Sequence, residues 1–239
     1  MNDVRLQLSD LCIRTRERPL VEGVQLLARK GEVTAIVGPS GAGKTLTVRA
    51  AMGVVEVDAC VVSGSLRYPE HGDQDLLGGL GNGTARDRAE LARRTAALRG
   101  GYVTYSPQAA SSALNPGRTV GHQLAIAIGR RSTPPSDLAA AIRQVLEEVD
   151  LPGRAAAALP TELSGGQAQR AALAVAIAPR PRVLIADEPE TGLDPVLRRL
   201  VTERMLAIAR EHGVALVLVS HHRETVDRIA NHVVQVGCQ

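Results

Sequence analysis

Residues 33–45 read VTAIVGPSGAGKT, five apolar or β-branched residues that run straight into a loop with three glycines and close on Lys44 and Thr45. The run Val33–Val37 predicts a buried strand, and the following residues predict a sharp return into a helix over residues 44–52. Strand, Gly-rich loop and helix in that order form the P-loop pattern. In such a loop Gly38, Pro39, Ser40, Gly41, Ala42, Gly43, Lys44 and Thr45 surround phosphate groups with backbone N–H. Lys44 sets a point charge on the β- and γ-phosphates, and Thr45 offers its hydroxyl to Mg²⁺.

Three further apolar stretches, residues 102–105, 182–186 and 215–219, each close on polar residues or glycine. Together with Val33–Val37 they predict a parallel sheet with helical crossovers, which binds ligands at the carboxyl ends of its strands. Before them, residues 4–35 read as short strands around an Arg-rich turn at 14–19, and predict an antiparallel unit. Residues 119–160 read as helical, most clearly 136–150, with Ser136 or Asp137 as cap and Pro152-Gly153 as the stop. The Gly-rich tract at residues 70–87 reads as a mobile loop. A strand over 233–236 closes the pattern.

The chain has 239 residues, 44% hydrophobic but only 1% aromatic, with no Phe and no Trp, so its core must be packed from Ala, Val, Leu and Ile. Only Tyr68, Tyr102 and Tyr105 could stack on a base. A formal charge of +3, spread without a basic run, does not favour nucleic acid as a partner. Cys12, Cys60 and Cys238 are odd in number and far apart, which argues against a disulfide framework or a Cys-spaced zinc site and suits a reducing compartment. The N-terminal MNDVRLQLSD has no signal-peptide core, and the apolar runs are too short to span a bilayer.

Residues 183–188, VLIADE, form an apolar strand ending in two carboxylates. Beside a P-loop, Asp187 can hold a Mg²⁺-bound water and Glu188 can act as general base on the attacking water, which argues for hydrolysis. Residues 163–167, LSGGQ, place adjacent glycines where an Ala-rich helix begins. Each costs about 0.8–1 kcal/mol relative to Ala inside a helix. A helix opened by a capping Ser164 with Gly165, Gly166 and Gln167 behind it presents unpaired N–H groups to an anion. Asp194-Pro195 reads as an N-cap with proline at the first helical position. His221 and His222 are neighbours in extended chain, where side chains diverge, so they do not make a chelating pair.

The order GPSGAGKT, Gln108, LSGGQ, DEP at 187–189, TGLD at 191–194 and His221 resembles that of ATP-binding cassette (ABC) ATPases, over nearly the whole chain. The resemblance implies an α/β P-loop NTPase fold with a parallel-sheet core, an N-terminal antiparallel β subdomain and an inserted helical subdomain. It implies one nucleotide-binding domain over 1–239, its core at about 1–108 and 161–239 and its helical part at about 109–160. ATP and Mg²⁺ follow as cofactors. The family pairs two such domains head to tail, self or paralogue, so Ser164, Gly165, Gly166 and Gln167 would face the γ-phosphate in the other subunit's P-loop. Gln108 would contact Mg²⁺ and the attacking water and sense the membrane partner; Asp194 would lie between the ATP sites; His221 would touch the γ-phosphate.

Residues 109–124, AASSALNPGRTVGHQL, are similar to the peptide and nickel importer subfamily. That implies an ATPase peripheral to the cytoplasmic face of the membrane, with two permeases and, indirectly, an external solute-binding protein. An exporter motor and a soluble ABC ATPase remain alternatives. Thr15 stands where the family has an adenine-stacking aromatic, leaving Arg14, Arg16 or Arg18 to cover the base. Ser220, His222 and Gly192 are milder departures, and the subfamily's usual C-terminal extension does not follow the switch region here.

Overall fold

The structure, a computed structural model, describes residues 3–55, 61–72, 74–80, 84–108 and 113–237. Strands β1 (Val4–Arg14), β2 (Pro19–Arg29) and β3 (Val33–Val37) lead into helix α1 (Lys44–Ala51) and strand β4 (Val61–Arg67). Helix α2 (Ala85–Thr95) and strand β5 (Val103–Ser106) precede three helices, α3 (Val120–Ile128), α4 (Leu138–Glu148) and α5 (Gly165–Ile177). The remainder alternates: β6 (Val183–Asp187), α6 (Pro195–His212), β7 (Ala215–Val219), α7 (Arg223–Ile229) and β8 (His232–Gln235).

Five strands form an all-parallel sheet in the order β5-β6-β7-β3-β8, and three form an antiparallel sheet in the order β2-β1-β4. The α/β P-loop fold expected from the sequence is therefore present, with its antiparallel unit at the N-terminus. Successive side chains of a strand point to opposite faces, and here the two faces feed two cores. Leu184, Ala186, Leu216 and Leu218 pack with the helices α3 to α6. Val183, Ile185, Ala215, Val217 and Val219 pack with α1 and the antiparallel sheet. Both faces are covered, which is why these strands read as unbroken apolar runs.

Several boundaries differ from expectation. The unit at 4–35 consists of 11-residue strands rather than short ones, and bulges break the β1 register between Leu8 and Leu11, near Asp10 at φ 50. The helix expected over 136–150 is the shorter α4, started by Asp137, whose side chain accepts from the Ala140 N–H. The loop expected at 70–87 ends early. Thr84 and Asp87 form a reciprocal capping box that starts α2 inside it. Cys60, Cys238 and the 109–112 part of the AASSALNPG stretch lie outside the described residues.

Polar ties hold the end of α4 and the turn after it to α5, α6 and the loop before β6. Arg180 makes a two-pronged pair with Glu148, the last residue of α4, at 2.6 and 2.5 Å. Asp150 receives the Arg204 guanidinium from α6, and its carbonyl accepts from Arg170 of α5 at 2.7 Å. Among the described residues no helix is long and apolar enough to cross a membrane.

Candidate functional site

The carboxyl ends of β3, β5, β6 and β7 bring Gly38 to Thr45, Gln108, Asp187, Glu188 and His221 to one edge of the parallel sheet. At the first of these ends, Gly43 sits at φ +93 as the N-cap of α1 and supplies no side chain to the helix. A Cβ there would lie 2.7 Å from the Leu20 carbonyl oxygen, so the loop is pressed against β2 where only glycine fits. The α1 N–H groups consequently have no side-chain acceptor at the cap, the condition under which a helix start can take an anion. Lys44 is 7% exposed, and its Nζ donates to the Gly38 and Pro39 carbonyls, both at 2.9 Å. Thr45 is exposed at the loop's mouth.

Asp187 ends β6 almost fully buried and accepts the Tyr105 hydroxyl at 2.9 Å. Burial, and then the neighbouring Asp187 carboxylate, push the Tyr105 hydroxyl up to about 12, so it stays a donor to Asp187. Glu188 follows at φ 47, held by its N–H to the Val219 carbonyl at 2.9 Å. This positive φ swings the side chain out of the strand's alternation. Glu188 Oε2 then gathers three partners: Gln108 Nε2 donates at 2.9 Å, the Thr191 hydroxyl at 3.2 Å, and His221 Nδ1 lies 3.4 Å away. A carboxylate oriented by donors that follow β5 and β6, with the His221 ring after β7 beside it, has the geometry of a general base toward water.

Ser164 to Gln167 and Asp194 form a separate group at helix starts. Ser164 caps α5, with its Oγ accepting the Gln167 N–H at 3.3 Å and Gln167 Oε1 accepting the Ser164 N–H at 2.9 Å. The two glycines differ. A Cβ on Gly165 would meet nothing within 4 Å, whereas one on Gly166 would fall 2.6 Å from Leu197 Cδ2. Gly165 is thus open to an approaching ligand, while Gly166 is needed for packing against α6. Asp194 caps α6 through one oxygen that accepts from Val196 and Leu197, both at 2.9 Å.

The histidine pair overturns one expectation. The His221 and His222 rings lie 4.1 Å apart with a 39° tilt, because both residues come after the end of β7 and do not alternate as strand residues do. Among the described residues no group of three His, Cys, Asp or Glu side chains could hold a metal.

At the adenine side, Thr15 is occupied in its own turn, its hydroxyl bonding the Arg18 carbonyl at 3.0 Å. Arg14, Arg16 and Arg18 are exposed, and Arg14 lies 3.8 Å from Glu22. A cavity of about 290 Å³ beside the P-loop, lined by Pro19, Leu20, Glu22, Ala42, Gln235 and Gly237, contains no aromatic ring among the described residues. The tyrosines are engaged elsewhere: Tyr68 is buried edge-on to Tyr102, and Tyr105 stands at Asp187.

Sequence reasoning missed two features. One is Glu190, wholly buried and bonded to Ser220. The other is a largely apolar cavity of about 540 Å³ between the sheet and the helical segment, lined by Met52, Val54, Leu114, Ile126 and Val175 and rimmed by Arg99, Arg118 and Arg130. Half-exposed Ile126 on α3 was its one local signal. The nearby Asn115 loop is pinned by Gln123, which accepts from the Asn115 N–H and donates to its carbonyl.

A parallel sheet with a Gly-rich anion loop after β3 and an acidic pair after β6 defines a P-loop nucleotide-binding protein. The particular family is equally plain: the ABC transporter family profile matches residues 21–191, and the chain belongs to that family. It is 32% identical over 213 residues to the oligopeptide transport ATP-binding protein OppD of Lactococcus lactis subsp. cremoris, covering 88% of this chain and 59% of that one. It is 31% identical over 229 residues to the methionine import ATP-binding protein MetN of Mesorhizobium japonicum, covering 95% of this chain and 56% of that one. The chain thus spans under two thirds of the length of these relatives. In structure it matches cbiO1 of Clostridium perfringens, part of the ABC transporter complex cbiONQ, with TM-score 0.76 at 19% identity, over 98% of this chain and 85% of that one.

Proposed function

We propose that this chain is the ATP-hydrolysing subunit of an ABC importer, with peptides or a related small solute as cargo. The observation that carries hydrolysis is the convergence of Gln108, Thr191 and His221 on one oxygen of Glu188. Likeness to OppD, together with the Leu114-Asn115-Pro116 stretch, supports peptides over other cargo.

Backbone N–H groups of Gly41 to Thr45 and the Lys44 charge hold the phosphates. Glu188 takes a proton from water as the water oxygen attacks the γ-phosphorus, and ADP leaves with the bridging oxygen. His221 steadies the γ-phosphate. The exposed Thr45 hydroxyl, the Gln108 side-chain oxygen and the Asp187 carboxylate are hard oxygen donors that fit Mg²⁺. Bound there, the ion would neutralise phosphate charge. Ser164, Gly165 and Gly166 meet the ATP of a second ATPase subunit, self or paralogue, and Asp194 lies between the two sites. Residues 109–160 act as a helical lobe of the single nucleotide-binding domain. The 540 Å³ groove beside that lobe receives a permease segment at the cytoplasmic face of the membrane, and its three-arginine rim favours an acidic one.

Replacing Glu188 with Gln tests the base. Turnover falls by about 10²- to 10⁴-fold, the range for a lost general base, while ATP binding persists and an ATP-bound dimer accumulates. Native turnover in that variant overturns the assignment. Cargo is tested in proteoliposomes holding this ATPase with peptide-importer permeases: peptide with its binding protein must raise ATP hydrolysis, and a response to methionine alone would remove peptides.

A further inference from the structure

We propose that Glu190 is a positioning residue for hydrolysis: a buried strut that ties the segment carrying Glu188 to the turn carrying His221. Its side chain is inaccessible to solvent, and its Oε1 accepts the Ser220 hydroxyl from a position 30 residues away in sequence. Its other oxygen, Oε2, is buried without a hydrogen-bond partner. A buried polar atom left unpaired costs free energy that an apolar side chain of the same size would not. Packing therefore does not account for a carboxyl here, and the Ser220 bond is what the carboxyl adds.

That bond organises the turn after β7. With its hydrogen given to Glu190, the Ser220 hydroxyl oxygen is free to accept, and it takes the His222 N–H at 3.0 Å. The turn so closed holds His221, whose Nδ1 stands 3.4 Å from Glu188 Oε2. At the other end Glu190 sits in a stiff segment. The Thr191 N–H bonds the Glu188 carbonyl at 3.1 Å, the Leu193 N–H bonds the Glu190 carbonyl at 3.2 Å, and the Pro189 carbonyl accepts from buried Gln169 at 2.6 Å. Glu188, Glu190, Ser220 and His221 thus close a ring of contacts between the ends of β6 and β7. Cutting the ring at Glu190 frees the histidine turn without touching any group that meets nucleotide.

The inference rests on Glu188 and His221 acting as proposed above, so the experiment measures both. Steady-state ATP hydrolysis and thermal melting are followed for the full chain and for Glu190→Met, Glu190→Gln, Ser220→Ala and Glu188→Gln. Glu190→Met, close in volume and free of the unpaired oxygen, melts no lower than the native chain yet loses about ten- to a hundredfold in kcat, as misplaced groups do. Its KM for ATP stays within about threefold, since ground-state binding is untouched. Glu190→Gln keeps an acceptor at the same reach and recovers most of the lost kcat. Adding Ser220→Ala to Glu190→Met lowers kcat no further, because one link is cut twice. A folded Glu190→Met with native kcat overturns the strut. Should that variant fail to fold, Ser220→Ala decides, and native kcat there overturns it equally. Loss of turnover in Glu188→Gln with none in Glu190→Met removes the strut alone, whereas native turnover in Glu188→Gln removes the base on which both stand.

Discussion

Replacing Gly165 and Gly166 singly with alanine should move stability in opposite directions, although the two glycines are adjacent in one helical turn. At Gly165 the added methyl meets nothing within 4 Å. The variant therefore keeps part of the gain of about 0.5–1 kcal/mol that alanine has over glycine in a helix interior, Gly165 being the first residue of α5, which raises the midpoint of thermal unfolding by about 1 °C in a chain of this size. At Gly166 the methyl falls 2.6 Å from Leu197 Cδ2 and 3.2 Å from Cδ1. Overpacking of that kind costs about 1–3 kcal/mol, which the helix gain offsets only in part, so the net loss is about 1 kcal/mol and the midpoint drops by about 3 °C. Shortening Leu197 to alanine in the Gly166→Ala background should recover the packing term, with a coupling of about 1 kcal/mol in the double-mutant cycle. Hydrolysis reverses the ranking: Gly165→Ala, more stable, should lose at least about tenfold in kcat/KM, because a methyl blocks an anion from the helix backbone. Melting curves and steady-state ATPase assays read both. Shifts of the same sign refute the packing argument. Native hydrolysis in Gly165→Ala refutes the approach of a phosphate to α5.

Alkaline titration offers a second check. Burial pushes the hydroxyls of Tyr68, Tyr102 and Tyr105 above the ordinary value of 10.0, Tyr105 to about 12, with the Asp187 charge adding to the last. Folded values above the unfolded one mean that this stabilisation is complete below pH 10.0 and is lost as pH rises through the folded values. Tyrosinate absorbance of the folded protein should lag that of the urea-unfolded chain, and coincident curves would contradict the burial. Arg180→Ala leaves Glu148, 14% exposed, without its two-pronged partner and should destabilise the chain by about 1–3 kcal/mol in urea unfolding; an unchanged midpoint would show that the pair does not anchor α4. Ile126→Glu places a carboxylate in the apolar groove and should abolish co-purification with co-expressed permeases; retained complex would move the docking surface elsewhere.

What the sequence disclosed is what is encoded locally. Val33–Val37 with its loop, the acidic pair at the end of β6 and the Ser164 cap each depend on residues within one turn or strand, so spacing alone placed them. Contacts between segments were not legible in this way. Glu190 carries no local signal, because its partner Ser220 lies 30 positions on. The groove draws residues from Met52 to Pro179 and has no contiguous signature. Thr84 was hidden by the glycines before it, although Thr84 and Asp87 carry the spacing of a capping box. Gly165 and Gly166 read alike because an approaching ligand and a packed Leu197 ask for the same missing methyl.

Three helix starts in the site region differ in what they leave for an anion. At α6, Asp194 accepts from Val196 and Leu197, and Pro195 has no N–H, so the chain closes that end by itself. At α5, the Gln167 and Ser164 N–H groups are taken by the capping box, while Gly165 and Gly166 retain theirs. At α1, Gly43 has no side chain to give, and the Lys44 charge sits beside the bare turn. The dipole is alike in kind at all three, so the number of N–H groups left over decides which end attracts phosphate. By that measure the proposed phosphate sites rank with α1 first and α5 second. A site like α5, with two N–H groups and no lysine, is suited to complete the binding of an anion already held elsewhere. That asymmetry within one chain suits the proposed sharing of a nucleotide between two ATPase subunits, in which each subunit supplies a full site from α1 and a partial one from α5.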